Sequence, residues 1–246
     1  AGEGSRFAKE GYTTPKPFIP VNGKRMVDQA VCCLPKMDKA IYACLKGHQV
    51  PGDDVVWIDE VLEGQACTTE KIVKQCESGS ILVSACDNGV FYDANKFLDL
   101  VNDETNDIIV WTYRNNYTSH LQPNAYSWVN CDGDGTVSSV DVKNFKGDNP
   151  VESYAITGTM FFRSKEVFNK SLKSLYKNDV RTNGEFYVDS MLNEAIKLGY
   201  KVKNFEIDNY ICWGTPNDLK TYEYWQKFFN KVRWHPYEYE KDYFTN

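Results

Sequence analysis

The chain of 246 residues is long enough to bury a substantial core as one large domain or two small ones. Its formal charge of −6 argues against a nucleic-acid binder, and its hydrophobic content of 42% is ordinary for a globular protein. No apolar run approaches the roughly 20 residues that cross a bilayer, so we expect no membrane partner. The eight cysteines form no CxxC pair and no Cys/His zinc pattern, so we expect reduced thiols and a cytoplasmic protein, with disulfides as the alternative.

Apolar, β-rich runs alternate with amphipathic stretches in the first half of the chain, which is typical of an α/β architecture. The four-residue spacing of Met26, Ala30 and Leu34 predicts a helix over 24–34. The other predicted elements of this half are, in order, strands over 40–45 and 54–59, a helix over 67–76, a strand over 80–93 that ends in a loop, and a strand over 107–114.

In the second half, two strand-like runs flank CDGDGT (131–136), which predicts a β-hairpin. The same letters match part of a calcium-binding loop, but the flanking helices of such a loop are missing, so calcium binding is the weaker alternative. The remaining predicted elements are a strand over 154–164, a helix over 165–176, a helix over 184–199, a strand over 200–208 and a helix over 215–232. Without repeats or linkers, we expect a single domain over 1–246, and we expect a short strand to precede residue 1.

The opening segment AGEGSRF carries two glycines, Gly2 and Gly4, at the spacing of phosphate-binding loops. A dinucleotide-binding fingerprint needs a third glycine where Phe7 stands, and a Walker A loop needs GKS or GKT, which is absent. No helical pattern follows directly, so we interpret 8–17 as a loop.

Two cations accompany these glycines. Arg6 follows them directly, and Lys16 lies between Pro15 and Pro17, which restrain its backbone. A backbone that approaches phosphate closely, with two cations, suits a triphosphate whose α-phosphorus is attacked.

Seven segments occur in an order that resembles the sugar-phosphate nucleotidyltransferase family over most of the chain. They are GEGSRF (2–7), PKP (15–17), LEGQACTTEKI (62–72), ACDNGVFYD (85–93), AITGTMFFR (155–163), GEFYVDSMLNEAI (184–196) and CWGTPNDLKTYEYW (212–225). The resemblance implies a Rossmann-like α/β fold with a mostly parallel central sheet, helices on both faces and a smaller acceptor-side lobe. It also implies Mg²⁺-dependent transfer of a nucleotidyl group to a phosphorylated acceptor, with release of pyrophosphate.

The resemblance assigns roles to particular residues. Arg6 would stabilise the leaving pyrophosphate, and Lys16 would contact the α-phosphate or the incoming phosphate. The nucleotide-binding residues would be Gly2, Gly4, Ser5, Gly64 and Gln65, and the acceptor-binding residues would be Lys143 (with Lys146 as the alternative), Gly158, Glu185 and Asp189.

Asp87 ends a strand and would be a Mg²⁺ ligand, with an Asx-turn or cap as the alternative. Many family members have a second aspartate before the late Gly-Thr, where this chain has Cys212 and Trp213. Asp208 is the nearest substitute, and Asp189 is another. The second ligand therefore stays open.

Glu185 and Asp189 lie four residues apart, so we expect one helix face to present both. Such carboxylates would bind the ammonium group of an amino-acid acceptor, and Arg114 or another cation would meet its carboxylate. Solvated surface charge is the alternative.

Within this family the chain most resembles small cytidylyltransferases of surface-polysaccharide pathways. The resemblance implies an enzyme that joins CTP to phosphoglutamine or a similar phosphorylated small molecule, for modification of a capsule or surface polysaccharide. The alternatives are a sugar-1-phosphate uridylyl- or thymidylyltransferase and a non-catalytic nucleotide sensor. The aromatic segment WHPYEYEKDYF (234–244) leaves a homo-oligomer open.

Overall fold

The computed structural model describes residue 2 and residues 4–46, 55–116, 118–232 and 234–241. The α-helices of this part are α1 (Ser5–Lys9), α2 (Met26–Cys32), α3 (Gln65–Val73), α4 (Ala94–Asn102), α5 (Lys165–Lys177), α6 (Val188–Lys197) and α7 (Pro216–Lys231). Its strands are β1 (Pro20–Val21), β2 (Lys24–Arg25), β3 (Tyr42–Leu45), β4 (Val55–Ile58), β5 (Ile81–Val83), β6 (Asn88–Phe91), β7 (Ile108–Tyr113), β8 (Trp128–Cys131), β9 (Val137–Asp141), β10 (Tyr154–Phe162), β11 (Val202–Glu206) and β12 (Asn209–Cys212). No described helix is long and apolar enough to span a membrane.

Backbone contacts divide the chain into two compact units. Unit 1 comprises Ala1–Gly2, Met37–Ser84 and Tyr92–Asp208, and unit 2 comprises Glu3–Lys36, Ala85–Phe91 and Asn209–Asn246. Each unit is therefore assembled from segments that are distant in sequence.

Unit 1 contains a six-stranded sheet in which β10 is the central strand. Strand β10 pairs antiparallel with β7 along one edge and with β8 and then β5 along the other, and β11 pairs parallel with β7. Strands β5, β7, β8 and β11 consequently run in one direction, while β10 and β9 run in the opposite one. Four of the six strands thus share one direction, which agrees with the predicted mostly parallel α/β sheet, while β9 and β10 run opposite to them. The pair β7–β11 is parallel, and the other four strand pairs of this sheet are antiparallel. A separate parallel pair, β3–β4, also belongs to this unit.

Helices cover both faces of the unit 1 sheet because its strands are apolar on both sides. On one face, α3, α5 and α6 pack on Ile108, Val110 and Phe162. On the other face, Phe97 of α4 contacts Trp111 of β7 edge to face, with ring centroids 4.8 Å apart.

The predicted hairpin around CDGDGT is confirmed, since β8 and β9 pair antiparallel. Asp132 Oδ1 accepts hydrogen bonds from the backbone N–H of Asp134 (3.2 Å) and of Thr136 (2.9 Å), which is an Asx-type turn.

Unit 2 is held by the antiparallel pair β6–β12, against which α2 and α7 pack. A strand that ends in a loop was predicted over 80–93, and β5 in unit 1 confirms the strand. The predicted loop contains a second strand, β6, in unit 2, so Asp87 precedes a strand and does not end one as predicted. Apolar content alone does not show that the segment divides between two units.

Two helices were not predicted. Residues 5–9 form α1, so the interpretation that no helix follows the opening glycines was wrong. Helix α4 begins after Asp93, whose carboxylate accepts hydrogen bonds from the N–H groups of Asn95 and Lys96. An aspartate before an amphipathic stretch is a recognised helix-start signal, so α4 was predictable from sequence.

Candidate functional site

Unit 2 joins the two predicted phosphate-site residues Lys16 and Asp87 in a direct ion pair. Pro15 and Pro17 frame a single 3₁₀ turn at Lys16–Phe18, which fixes the backbone from which the lysine extends. Burial by itself lowers the pKa of the Lys16 ammonium, but the charge of Asp87 and the hydrogen bond to it outweigh burial and raise that pKa above its ordinary value. Lys16 is therefore a permanent cation at a half-buried position.

Gly4 places the opening loop against Lys16. It has a φ of 62°, and a Cβ at this position would lie 3.2 Å from Lys16 Cβ. Glycine thus permits both the left-handed backbone and the close approach. Ser5 and Arg6 follow on α1 and are exposed, and so is Gly2, which belongs to unit 1.

The late Gly-Thr-Pro segment packs on Asp87. The backbone N–H of Trp213 donates to the backbone oxygen of Asp87 at 2.8 Å. A Cβ on Gly214 would lie 3.1 Å from Asp87 Oδ2 and 3.3 Å from the sulfur of Cys212, so this glycine leaves a small cradle beside the carboxylate.

Asp218 is a neighbour of this cradle that was not predicted. Its Oδ2 accepts hydrogen bonds from Thr215 Oγ1 (2.6 Å) and from Cys212 Sγ (3.5 Å). The pattern T-x-x-D at the start of a helix is the signal that would have identified it.

The thiols beside Asp87 are neutral. Burial raises the pKa of Cys86 to about 11 and that of Cys212 to about 12. Neutral thiols are poor ligands, so the hard oxygen of Asp87 is the group here that suits Mg²⁺. Within the described residues, no cluster of three or more His, Cys, Asp or Glu side chains is arranged to hold a metal ion.

Mg²⁺ often takes only one or two carboxylates and completes its shell with phosphate oxygens and water. The carboxylate of Asp87 with the cradle at Gly214 fits this mode of binding. The predicted second ligand, Asp208, is exposed two residues after the end of β11 in unit 1, and its role stays a prediction.

In unit 1, Gly64 lies against the backbone of Phe186. Its φ is 135°. The backbone N–H of Phe186 donates to the backbone oxygen of Glu63 at 2.8 Å, and the backbone N–H of Ala66 donates to the backbone oxygen of Phe186 at 2.9 Å. The fold therefore brings the predicted base-reading turn beside the segment that precedes α6. Gln65 begins α3 with an exposed side chain.

The prediction that one helix face presents Glu185 and Asp189 was wrong. Asn183 and Gly184 both have positive φ, and Thr182 pairs with Glu185 in a tight antiparallel turn, so α6 begins only at Val188. Asn-Gly is a strong turn signal that overrides the helical spacing. Glu185 is consequently exposed on the turn, while Asp189 is buried in the first helical turn.

Among the other predicted acceptor residues, Lys143 lies near chain neighbours of Asp189. Ser127 donates a hydrogen bond to Asp189 Oδ2, and Lys143 donates to the backbone oxygen of Ala125. The Lys143 ammonium also lies 5.8 Å from the centre of the Tyr187 ring. Lys143 thus contacts Ala125 and Tyr187, which lie two positions before Ser127 and Asp189, respectively. Ser127 and Tyr187 were not predicted.

Other candidates have different surroundings. Gly158 (φ 90°) lies where the register between β10 and β7 shifts. Lys146 pairs with Asp141 at 3.0 Å. Arg114 is bound to both carboxylate oxygens of Glu206 at 2.7 and 2.8 Å, so it already has a partner.

A scan of protein-family models and a search of curated proteins found no match to this chain. Solved structures do match. A nucleoside-diphosphate-sugar pyrophosphorylase from Vibrio cholerae RC9 aligns with a TM-score of 0.68 at 21% identity, over 90% of this chain and 96% of that one. The inositol-1-phosphate CTP transferase from T. maritima aligns with a TM-score of 0.68 at 17% identity, over 95% of each chain.

A CMP:2-keto-3-deoxy-manno-octonic acid synthetase in complex with CTP aligns with a TM-score of 0.61 at 12% identity, over 89% of this chain and 95% of that one. At these identities the likeness shows a shared fold. The chain therefore has the Rossmann-like α/β fold of the nucleotide-sugar pyrophosphorylases and CTP transferases that it matches.

Proposed function

We propose that the protein is a nucleotidyltransferase that joins a nucleoside monophosphate unit to a phosphorylated small molecule and releases pyrophosphate. The observation that carries this proposal is the assembly of Gly4, Lys16, Asp87 and Gly214 in unit 2. It provides a fixed cation, a carboxylate and glycine backbone that phosphate can approach closely. Both substrates are anions, so positioning and charge neutralisation supply most of the catalysis.

Lys16 would bind the α-phosphate or the attacking phosphate, and Arg6 would stabilise charge on the departing pyrophosphate. Mg²⁺, held by Asp87, would neutralise charge on the triphosphate. Gly64 and Gln65 would contact the nucleobase.

Lys143, Asp189 and Tyr187 are the proposed acceptor residues. A lysine suits a phosphate, and a carboxylate and an aromatic ring each suit an ammonium group. This combination supports an acceptor with both groups, and phosphoglutamine is the candidate that we propose. Glu185, exposed on the neighbouring turn, is a further contact for the ammonium.

We propose CTP as the donor and a capsule or surface polysaccharide as the destination of the product. The two matched enzymes that use or bind CTP support a cytidylyl donor only at the level of fold. Eight free cysteines support a reducing, cytoplasmic setting.

The decisive experiment measures pyrophosphate release for four nucleoside triphosphates, each against phosphoglutamine, phosphocholine and sugar-1-phosphates, with Mg²⁺. We expect CTP with phosphoglutamine to be fastest. A faster reaction with UTP or dTTP would favour a sugar-1-phosphate uridylyl- or thymidylyltransferase. Nucleotide binding without pyrophosphate release for any pair would favour a sensor.

The acceptor assignment has its own test. Asp189→Asn should raise the KM for an ammonium-bearing acceptor by about tenfold or more and leave the KM for CTP unchanged, since a charge-assisted bond is lost. Glu166→Gln, which neutralises an exposed carboxylate paired with Lys170 on α5, is the control. An unchanged acceptor KM in Asp189→Asn would remove Asp189 from the acceptor site.

A further inference from the structure

The Asp87 carboxylate has two different neighbours at the same oxygen atom. Oδ2 receives the Lys16 ammonium, and Oδ2 is also the atom that lines the cradle at Gly214. One oxygen thus faces both an internal cation and a space where a ligand can approach.

An internal ammonium and an external divalent cation compete for one carboxylate. Two cations on the same oxygen repel each other strongly at a half-buried site, because the effective dielectric constant there is well below that of water. Lys16 and Asp87 have side chains only 22% and 25% exposed, so solvent screens this repulsion incompletely. The ion pair therefore opposes metal binding to the nucleotide-free protein.

The lysine can leave without moving its backbone. Its Cα and Cβ are held by the flanking prolines and by the contact with Gly4, while four rotatable bonds carry the ammonium. A nucleotide phosphate near Gly4 would offer the ammonium a second anionic partner within the same unit.

We propose that Lys16 is an exchangeable counter-ion: it neutralises Asp87 in the free protein and transfers to a nucleotide phosphate when a metal–nucleotide complex binds, which frees the carboxylate for the metal. This inference rests on the proposed function, since it needs a triphosphate ligand. It makes metal and nucleotide binding mutually dependent, so that divalent cations alone bind weakly.

The test uses Mn²⁺ as the probe, because its electron paramagnetic resonance signal reports free ion directly. Without nucleotide, Lys16→Met should bind Mn²⁺ about tenfold more tightly than the wild type, since the competing charge is gone. Lys16→Gln is a second neutral variant in case one fails to fold, and Lys16→Arg retains the charge and should keep the weak affinity.

Two controls isolate the effect. Lys220→Met removes an equal charge from unit 2, at an ion pair with Glu10, and should leave Mn²⁺ affinity unchanged. Asp87→Asn, alone or with Lys16→Met, should abolish the tight site. Equal Mn²⁺ affinity in wild type, Lys16→Met and Lys16→Gln would overturn the proposal, as would tight binding that survives Asp87→Asn.

A second measurement separates this proposal from the proposed function. Lys16→Met should weaken CTP binding and, in the absence of CTP, strengthen Mn²⁺ binding. A merely structural role of Lys16 would not change the two affinities in opposite directions. If the wild type binds no nucleoside triphosphate, the exchange and the proposed function both fail. If CTP binds and reacts but Mn²⁺ affinity is insensitive to Lys16, only the exchange fails.

Discussion

Gly64 shows how strongly a single position can be constrained by its surroundings. A Cβ there would lie 2.5 Å from the backbone oxygen of Phe186 and 2.6 Å from its nitrogen, in addition to the strain of a φ of 135°. Backbone atoms cannot move aside as a flexible side chain can. The glycine is thus required for α3 to begin where it does.

We expect Gly64→Ala to lower the free energy of unfolding by about 2–4 kcal/mol, because it adds a backbone collision to backbone strain. Urea unfolding followed by circular dichroism measures this change. Gly79→Ala is the matched control, since Gly79 has a φ of 142° with nothing within 4 Å of the added Cβ. Equal losses in the two variants would show that the contact with Phe186 is unimportant.

Arg6 is a second single residue for which we expect a specific role, in the release of pyrophosphate. It is exposed on α1 and forms no ion pair with any other residue that the structure describes, so it is available to a ligand. Arg6→Ala should lower kcat/KM for pyrophosphate release by about 10²- to 10³-fold, because one cation that meets developing charge is lost.

The stability of Arg6→Ala should stay within about 0.5 kcal/mol of the wild type, as for most surface substitutions. Lys9→Ala, on the same short helix and also exposed, serves as the control. Similar rates for both variants would argue against a role of Arg6 in the reaction.

At the scale of secondary-structure elements, side-chain caps at Asp93, Ser164 and Thr215 fix the starts of α4, α5 and α7. Helix α7 begins at Pro216, as predicted, and Thr215 caps it. The Thr215 hydroxyl accepts from the Asp218 N–H at 3.2 Å and donates to the Asp218 carboxylate, which also contacts Cys212. The cap therefore links the helix start to the segment that packs on Asp87.

Thr215→Ala should lower the free energy of unfolding by about 1 kcal/mol, because the first turn of α7 loses its cap. Thr215→Ser keeps the hydroxyl and should recover most of the loss. Thermal or urea unfolding measures both, and a loss of similar size in Thr215→Ser would assign the effect to the missing methyl group.

At the scale of the whole molecule, burial of thiols links stability to alkaline pH. Burial raises the pKa of Cys33 and Cys86 to about 11 and of Cys212 to about 12, from an ordinary value of 9.0. Above pH 9 the unfolded chain releases these protons and the folded chain retains them. The contribution of these thiols to the free energy of unfolding is therefore fully present below pH 9 and is lost as the pH rises toward 11.

Cys33→Ala tests this linkage at a residue that is only 2% exposed. The difference in unfolding free energy between wild type and Cys33→Ala should narrow by about 1 kcal/mol between pH 8 and pH 10, since only the wild type carries the shifted thiol. Denaturant titrations at the two pH values measure it. A constant difference would mean that the Cys33 thiol titrates normally.

The sequence by itself determined the α/β class, most helices and strands, and the ion pair partners Lys16 and Asp87 as candidates for one site. These features follow from local apolar periodicity, from glycine and proline at fixed positions, and from resemblance of short ordered motifs. Each of these signals acts within a few residues, so the sequence alone is sufficient to predict these features.

Only the tertiary structure decided which distant residues meet. It joined Lys16 to Asp87 across 71 positions, bonded Ser127 to Asp189 across 62, and brought Lys143 to the ring of Tyr187. It also removed Glu185 from the helix, since the turn at Asn183–Gly184 overrode the spacing. Sequence periodicity reports local structure and carries no information about such long-range pairing.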